Sequence, residues 1–304
     1  MTLKKVANEC VCNDVGAEQK YSYKISIPNF YGVELNIYTN SRRLNNAMKR
    51  FLFFFLNRPF QNYTNFYFPN VRRSYNISFS IQKEDAEDIT YYLDLLEKYL
   101  RKMICEYFFI FHGSVVTKKN YQLFLIGDPK VGKSTLAINF SENGWRFYAD
   151  DIVLLKKDDY RCFAFPELIK IRKASISYEQ SLVLKRLNIK ELLLKDVIDL
   201  SNEEFKIYLN YLKRIYSFQN EIVKAKPKKY FFIFLDKMIV KKPSIYKINK
   251  FTSIFNIFRN IYLDSCLGRK KDLVELIFMS KCYSLKKGHP EDTRRLILDY
   301  LQLK

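Results

Sequence analysis

A glycine-rich segment in the middle of the chain carries the strongest chemical signal. Residues 127–134 read Gly-Asp-Pro-Lys-Val-Gly-Lys-Ser and match the pattern G-x-x-x-x-G-K-S/T. An apolar segment ends at Ile126 and a helix-like pattern begins at Leu136, which is the strand–loop–helix context that this pattern requires. Glycines let backbone N–H groups turn toward phosphate oxygens, and the amino end of the following helix adds partial positive charge. The segment therefore predicts a nucleotide phosphate site.

Side-chain chemistry suggests roles within this loop. Lys133 is expected to reach the β- and γ-phosphates of ATP, and the Ser134 hydroxyl is expected to coordinate Mg²⁺, so ATP and Mg²⁺ are the expected cofactors. Lys130 adds a positive charge that either binds phosphate or faces solvent. The predicted nucleotide-binding residues are Gly127, Asp128, Pro129, Lys130, Val131, Gly132, Lys133, Ser134 and Thr135.

A carboxylate should lie near this loop, because Mg²⁺ requires more oxygen ligands than one serine supplies. One candidate is Asp236, which ends an apolar segment and has the position of a Walker B aspartate. The other is the pair Asp150 and Asp151, about one helix and one short strand after the loop, with Gly144 as the expected helix C-cap. Adjacent strand residues face opposite sides of a sheet, so both carboxylates reach one site only if a turn follows the strand.

Hydrophobic periodicity predicts the elements around these residues. Residues 20–82 are β-rich, with strands over 21–27, 33–38 and 75–81 and a helix over 42–56. A helix over 84–106 precedes strands over 107–116 and 121–126, whose short polar connection predicts antiparallel neighbours. Further helices are predicted over 179–223, 271–280 and 291–302, and further strands over 145–148 and 230–235. This pattern predicts an α/β fold with a strongly mixed sheet.

Residues 107–172 resemble the catalytic domain of HPr kinase/phosphorylase and its kinase-like relatives. The resemblance lies in the order and spacing of His112-Gly113, the loop of residues 127–134, Gly144 and Asp150-Asp151. The segment 166–172 is also similar to the strand that follows the aspartates in that family. The resemblance implies a P-loop HPr-kinase-like catalytic domain over residues 96–304. It does not cover residues 1 to about 90, and the hydrophobic pattern predicts a β-rich N-terminal region with helices over residues 1–95.

The resemblance also implies an activity and residue roles. Family members transfer phosphate from ATP to the Ser hydroxyl of a protein or peptide, or in some relatives to other hydroxyls. By position, Asp150 would be the general base and Asp151 would hold Mg²⁺ together with Ser134. Arg172 would contact the phosphates or the transition state, and Lys133 would neutralise the phosphates. His112 would lie beside the phosphates or orient an acidic group, whereas taken alone it is more often a buried strand histidine.

The sequence departs from the family at several positions. Pro129-Lys130 stands where the family loop often has Ser-Gly, and Lys170 stands where the bifunctional enzymes tend to have an acidic residue. These departures weaken the expectation of a second metal ligand, for which Glu167 is a candidate replacement, and they weaken the expectation of reverse phosphorylase activity. The chain is more similar to divergent relatives encoded with modified-peptide pathways, such as lasso-peptide precursor kinases. Relatives are often oligomers, which suggests a homo-oligomer of unspecified stoichiometry.

Composition limits the class of protein. The 304 residues include 52 Lys and Arg against 32 Asp and Glu, a net charge of +20, and 48% hydrophobic residues, which excludes a disordered chain. The six cysteines are scattered, so neither a disulfide framework nor a zinc site is expected. With no signal-like start and no apolar run near ~20 residues, no membrane span and a cytoplasmic location are expected.

The positive charge leaves alternative functions open. It fits compositional drift, a nucleic-acid surface, or attraction to an acidic peptide or small protein through the basic, aromatic-rich stretches 179–229 and 241–259. A nucleic-acid-stimulated ATPase would use Asp236 in place of Asp150, but no nucleic-acid motif supports it. A kinase acting on a free small-molecule hydroxyl such as serine, or a nucleotide-binding module without catalysis, would also retain the loop.

Overall fold

The computed structural model describes residues 21–56, 61, 70–71, 73–80, 85–163, 165, 178–215, 229–266 and 268–303. Residue contacts divide the described chain into two compact units. The first contains the residues up to Met103 together with Leu193–Ser201, and the second contains Ile104–Leu192 and Asn202–Lys304. The return of residues 193–201 to the first unit was not anticipated from the sequence, and the predicted boundary after residue 95 stays a prediction.

The strands are β1 (Tyr23–Phe30), β2 (Val33–Thr39), β3 (Arg73–Phe79), β4 (Phe108–Lys118), β5 (Tyr121–Ile126), β6 (Arg146–Ala149), β7 (Ile152–Lys156), β8 (Cys162–Phe163), β9 (Lys229–Ile239), β10 (Ser244–Lys247) and β11 (Lys281–Lys287). The α-helices are α1 (Arg42–Phe51), α2 (Phe53–Leu56), α3 (Ala86–Ile104), α4 (Lys133–Glu142), α5 (Tyr178–Arg186), α6 (Leu194–Asp199), α7 (Asn202–Ile215), α8 (Lys250–Asn260), α9 (Lys270–Met279) and α10 (Pro290–Leu301).

The first unit is built on a three-stranded sheet of order β1-β2-β3. β1 alternates between buried and exposed residues, as expected of a strand with one face on the core. β1 is antiparallel to β2, whereas β2 is parallel to β3. The Ser41 side chain caps α1 by accepting a hydrogen bond from the Leu44 N–H at 3.0 Å. Arg50 of α1 donates to the carbonyl of Val197 in α6 at 3.0 Å, which ties the returning segment to this unit.

The second unit contains an eight-stranded sheet of order β10-β11-β9-β5-β4-β7-β8, with β6 also paired to β4. β5, β9 and β11 are parallel neighbours, while β4 is antiparallel to β5, β6 and β7. The central strands are buried on both faces, and Phe124 of β5 stacks on Phe232 of β9 with ring centroids 4.6 Å apart. The predictions of an α/β fold, a mixed sheet and an antiparallel pair leading into the glycine-rich loop are confirmed.

Other element predictions have mixed outcomes. The predicted helix over 179–223 is divided into α5, α6 and α7 among the described residues, and residues 216–223 lie outside them. The predicted helix over 42–56 is divided into α1 and α2. The segment 166–172 also lies outside the described residues, while β10, β11 and α8 were not predicted. None of the helices in the described part of the chain combines the length and hydropathy needed to cross a membrane.

Candidate functional site

The glycine-rich loop joins β5 to α4, as the sequence predicted. Its backbone has positive φ at Lys130 (66°) and at Gly132 (86°), the residue that precedes the first residue of α4. A Cβ placed on Gly127 would lie 2.9 Å from the backbone oxygen of Leu235 and 3.0 Å from Cγ2 of Val131. The loop therefore lies directly against β9 at Leu235, and only glycine fits at its first position.

Lys133 lies at the centre of the loop and is 4% exposed. Its Nζ donates to the carbonyl oxygens of Gly127 and Asp128, both at 3.0 Å, and lies 3.2 Å from Nε2 of His112. Burial lowers the pKa of Lys133, although the carboxylates of Asp151, Asp150 and Asp128 act in the opposite direction. The histidine, the loop lysine and the aspartate pair that the sequence singled out thus lie close together.

The aspartate pair occupies a turn between β6 and β7, which both run antiparallel to β4. Asp151 has a positive φ of 60°, and the Ile152 N–H donates to the Asp150 carbonyl at 2.7 Å, closing a three-residue turn. This conformation is uncommon for a residue with a side chain, and such strain is concentrated at functional sites. The pair thus has the strand-end turn that two adjacent carboxylates need to serve one site.

Asp150 is a buried carboxylate with hydroxyl partners. It accepts a hydrogen bond of 2.5 Å from the Ser114 hydroxyl and another from Ser134 of the loop. Burial, together with the neighbouring charge of Asp151, raises the pKa of Asp150 to about 6. The two hydroxyls and Lys133 lower it and so keep the shift from being larger. A carboxylate of this kind is more basic than an exposed one and still ionised at neutral pH.

Sequence reasoning missed two of the residues that lie beside Asp150. Ser114 is two residues after His112 on β4, so strand alternation directs both side chains to the same face, and this signal was available. Tyr208 of α7 is fully buried, and burial raises its pKa well above the usual value, with smaller contributions from Tyr211 and Asp150. No local pattern distinguishes Tyr208 from an ordinary core tyrosine.

Lys287 was also missed. It is the last residue of β11, and a Cβ placed on Gly132 would lie 3.5 Å from its Nζ. Burial lowers the pKa of Lys287. The amino end of a helix favours negative charge, so a lysine here makes the start of α4 a good position for an anion.

Asp128 connects the loop to two exposed basic side chains. Its carboxylate lies 3.0 Å from the Nζ of Lys237 and 3.0 Å from a guanidinium nitrogen of Arg259. The hydrogen bond from Lys237, together with the charges of Arg259 and Lys133, lowers the pKa of Asp128. The charge of an aspartate in the predicted phosphate-binding loop is therefore offset by cations from β9 and α8.

Asp236 lies on β9, the parallel neighbour of β5, where Ile126 is opposite Phe234. Its carboxylate accepts a hydrogen bond from the Met238 N–H at 3.1 Å. The carboxylates whose charges raise the pKa of Lys133 are instead those of Asp151, Asp150 and Asp128. Arg172, Glu167 and Lys170 lie outside the described residues, so the roles that the sequence suggested for them stay predictions.

The donor set fits a nucleotide with Mg²⁺. A serine hydroxyl and two carboxylates supply the oxygen ligands that Mg²⁺ prefers, and the loop amides with Lys133 and Lys287 suit phosphate. Within the described residues, His, Cys, Asp and Glu side chains form no group of three or more that could hold a metal.

Comparison with known proteins adds no assignment, since no protein-family model and no curated protein matches the chain.

Proposed function

We propose that this protein is an ATP- and Mg²⁺-dependent kinase of the HPr-kinase-like type, which transfers the γ-phosphate to a Ser or Thr hydroxyl of a peptide or small protein. The observation that carries the proposal is the environment of Asp150. This buried carboxylate has a raised pKa, bonds to Ser134 of the glycine-rich loop and lies near Lys133. A general base poised near neutral pH beside a phosphate-binding loop is what transfer to a hydroxyl requires.

In the proposed reaction, Asp150 accepts the proton of the acceptor hydroxyl. The acceptor oxygen forms a bond to the γ-phosphorus while the bond from that phosphorus to the β–γ bridging oxygen breaks, so that ADP leaves. The ammonium groups of Lys133 and Lys287 lie where they would offset the negative charge of the phosphates. Phosphoryl transfer needs mainly positioning and charge neutralisation, so a carboxylate with a pKa of about 6 is sufficiently basic.

Ser134 and Asp151 are the proposed Mg²⁺ ligands. When bound, Mg²⁺ would supply charge neutralisation of the phosphate oxygens. The alternative assignment exchanges the two aspartates and places Asp150 nearer the metal, because the Ser134 side chain bonds to Asp150. The proposal assigns the base to Asp150 because its burial raises the pKa.

A magnesium titration separates the two roles. Phosphate transfer from ATP to a pool of Ser- and Thr-containing peptides is measured over a range of Mg²⁺ concentrations for the wild type, Asp150→Asn and Asp151→Asn. Loss of the base lowers the rate at saturating Mg²⁺ by about 10²-fold to 10⁴-fold. Loss of the metal ligand raises the Mg²⁺ concentration needed for half the maximal rate. If Asp150→Asn raised the Mg²⁺ requirement and Asp151→Asn lowered the rate at saturating Mg²⁺, the two roles would be exchanged. If the wild type transferred no phosphate, the proposed function would be overturned.

A second candidate is an ATPase that uses Asp236. The parallel pairing of β9 with β5 favours it, since this brings the end of the Asp236 strand beside the loop strand. Its carboxylate is engaged by the Met238 N–H, and it is not among the groups that act on Lys133. We therefore rank it below the kinase.

Replacing the peptide pool by free serine in the same assay tests the variant of the proposal in which the acceptor is a small molecule.

A further inference from the structure

The surface formed by residues 237–262, which adjoins the loop, is basic. From residue 237 to residue 262 the sequence has no Asp or Glu, and its Lys and Arg residues are Lys237, Lys241, Lys242, Lys247, Lys250 and Arg259. All of these except Lys250 are exposed. Lys250 instead donates to the carbonyls of Ile277 and Ser280 at the carboxyl end of α9. The exposed charges of this surface therefore suit an acidic partner.

Two exposed phenylalanines lie on the same surface. Phe251 is 81% exposed and Phe255 is 70% exposed, and they lie four residues apart on α8. Arg259 lies another four residues on, so these side chains form one row along the helix. The opposite face of α8 is buried through Ser253 and Ile257. A contiguous row of exposed aromatic side chains marks a binding surface more often than a single exposed apolar residue does.

The row ends at the glycine-rich loop. Arg259 contacts the carboxylate of Asp128 at 3.0 Å, and Lys237 contacts the same carboxylate at 3.0 Å. Eight residues of α-helix span about 12 Å, so Phe251 lies roughly that far along the helix axis from the loop contact. Met238 and Ile239, which follow Lys237 directly, are 60% and 74% exposed. Apolar and basic groups are thus continuous with the proposed phosphate site.

We propose that the α8 row of Phe251, Phe255 and Arg259, with the exposed end of β9 at residues 237–239, is the docking face for the acceptor peptide. This rests on the proposed function for the identity of the bound segment as phosphate acceptor. The peptide is acidic and carries apolar side chains. An extended peptide advances about 3.3 Å per residue, so an apolar residue seated on Phe251 lies about four residues from the segment at the loop.

A peptide fits this face better than a single-stranded nucleic acid does. Nucleic acids bind such surfaces by stacking bases on aromatic rings beside basic groups. Met238 and Ile239 have no ring face for a base, whereas they and the phenylalanines can all contact aliphatic or aromatic side chains of a peptide. Arg259 and Lys237 share the one carboxylate of Asp128, and the exposed Lys241, Lys242 and Lys247 add further positive charge, which gives acidic residues several partners.

The test uses the full chain with ADP and Mg²⁺ and a phage-displayed library of random peptides. Peptides selected on the wild type are then measured on the F251A/F255A double variant. Both replaced side chains are exposed, so the variant is expected to keep its thermal transition. Tyr91→Ala is the matched control, since it removes an aromatic side chain that is 52% exposed in the first unit.

The proposal predicts selected peptides enriched in Asp, Glu and apolar residues. Their binding should weaken by about thirtyfold or more in the double variant and stay unchanged in Tyr91→Ala. Peptides without this enrichment, or equal affinity for the double variant, would overturn it. The proposal would also be overturned if single-stranded RNA bound through the same residues more tightly than any selected peptide. A wild type that is dimeric and a double variant that is monomeric would also overturn it, because the face would then be covered by a second copy.

Separate readouts keep this proposal distinct from the proposed function. ATP binding is measured by calorimetry without peptide, and phosphate transfer is measured with the selected peptides. If the peptides bind this face but receive no phosphate from ATP, the docking face is supported and the kinase is overturned. If transfer occurs with the same KM in the wild type and the double variant, the kinase is supported and the docking face is overturned.

Discussion

Asp150 gains basicity from the same burial that reduces the stability of the fold. Water solvates an ionised carboxylate in the unfolded chain, whereas in the folded chain Asp150 is almost fully buried beside Asp151. Hydroxyls from Ser114 and Ser134 and the charge of Lys133 offset part of this cost. A residue kept at a cost to stability is more readily explained by chemistry than by packing.

The first prediction concerns stability and pH. The pKa of Asp150 is about 6 in the folded chain and about 4 when unfolded, so between these values the folded chain binds the extra proton. The contribution of this group is therefore fully present below about pH 4 and is lost as pH rises through 6. Asparagine does not ionise, so this loss of stability does not occur in Asp150→Asn. Its free energy of unfolding relative to the wild type should rise by up to about 3 kcal/mol between about pH 4 and pH 7.

Urea unfolding at a series of pH values measures this difference. A relative stability that stays constant with pH, or that falls toward neutral pH, would contradict the assigned cause of the raised pKa.

The second prediction concerns activity and pH. If ionised Asp150 is the base, kcat/KM for a peptide acceptor should rise with pH, pass an inflection near 6 and then level off. Ser114 donates to the carboxylate and lowers its pKa, so Ser114→Ala should move the inflection upward. A steady-state pH profile of both proteins tests this. A wild-type profile without an inflection in the acid range, or the same inflection in both proteins, would count against Asp150 as the base.

At the scale of elements, β4 is the strand that assembles the site. It pairs with β5, which leads into the loop, and with β6 and β7, which flank the aspartate pair. His112 is opposite Ile152 and Val115 is opposite Ala149, so Ser114 and Gly113 face Asp150 and Asp151 across the strands. The Gly113 N–H also donates to the Asp151 carbonyl at 3.3 Å. One strand thus fixes the loop and the carboxylates relative to each other.

The third prediction tests this arrangement through Gly113. A Cβ on Gly113 would lie 2.9 Å from the backbone oxygen of Leu125, so Gly113→Ala must shift β4 or β5. We expect a stability loss of about 1–3 kcal/mol and, because Asp151 is displaced from the loop, a transfer rate at least about tenfold lower.

Gly268→Ala is the control for this substitution. Its φ of +76° makes alanine costly, but among the described residues no atom beyond its chain neighbours lies within 4 Å of the added Cβ. It should lose about 1 kcal/mol of stability and keep its transfer rate. Thermal unfolding and initial rates are compared, and a Gly113→Ala protein with wild-type activity would contradict the proposed role of β4.

Local sequence predicted the elements that have strong local signals. The hairpin of β4 and β5, the loop and α4 follow from an apolar run, a short polar turn and a glycine pattern. β11 and α8 were missed because β11 is rich in lysine and α8 exposes phenylalanines, so neither has the usual amphipathic pattern. Lys287 and Arg259 reach the loop only through the pairing of β11 with β9 and the packing of α8, which no spacing in the sequence encodes.

For the whole molecule, the charge of +20 is partly explained by the site. Lys133 and Lys287 lie at the loop, and Lys237 and Arg259 offset the charge of Asp128. The surface formed by residues 237–262, a segment without Asp or Glu, accounts for several more basic residues, as the docking proposal requires. The strong positive charge predicted from composition is therefore concentrated, in part, where an acidic acceptor would approach the loop.

The fourth prediction concerns ionic strength. Charge attraction at an exposed surface is screened over about 8–10 Å at physiological salt, so KM for an acidic peptide should rise with added KCl. A neutral peptide of the same length and apolar content serves as the comparison, and its KM should change little. Initial rates over a series of KCl concentrations measure this, and equal salt dependence for the two peptides would contradict an electrostatic role for the surface.

The most direct test of the central claim compares Asp150→Asn with Asp236→Asn in one assay of phosphate transfer from ATP to a peptide hydroxyl. We predict that Asp150→Asn lowers the transfer rate by about a thousandfold while ATP still binds, and that Asp236→Asn stays within a fewfold of the wild type. Wild-type transfer by Asp150→Asn, together with loss of turnover in Asp236→Asn, would contradict the assignment of the base to Asp150.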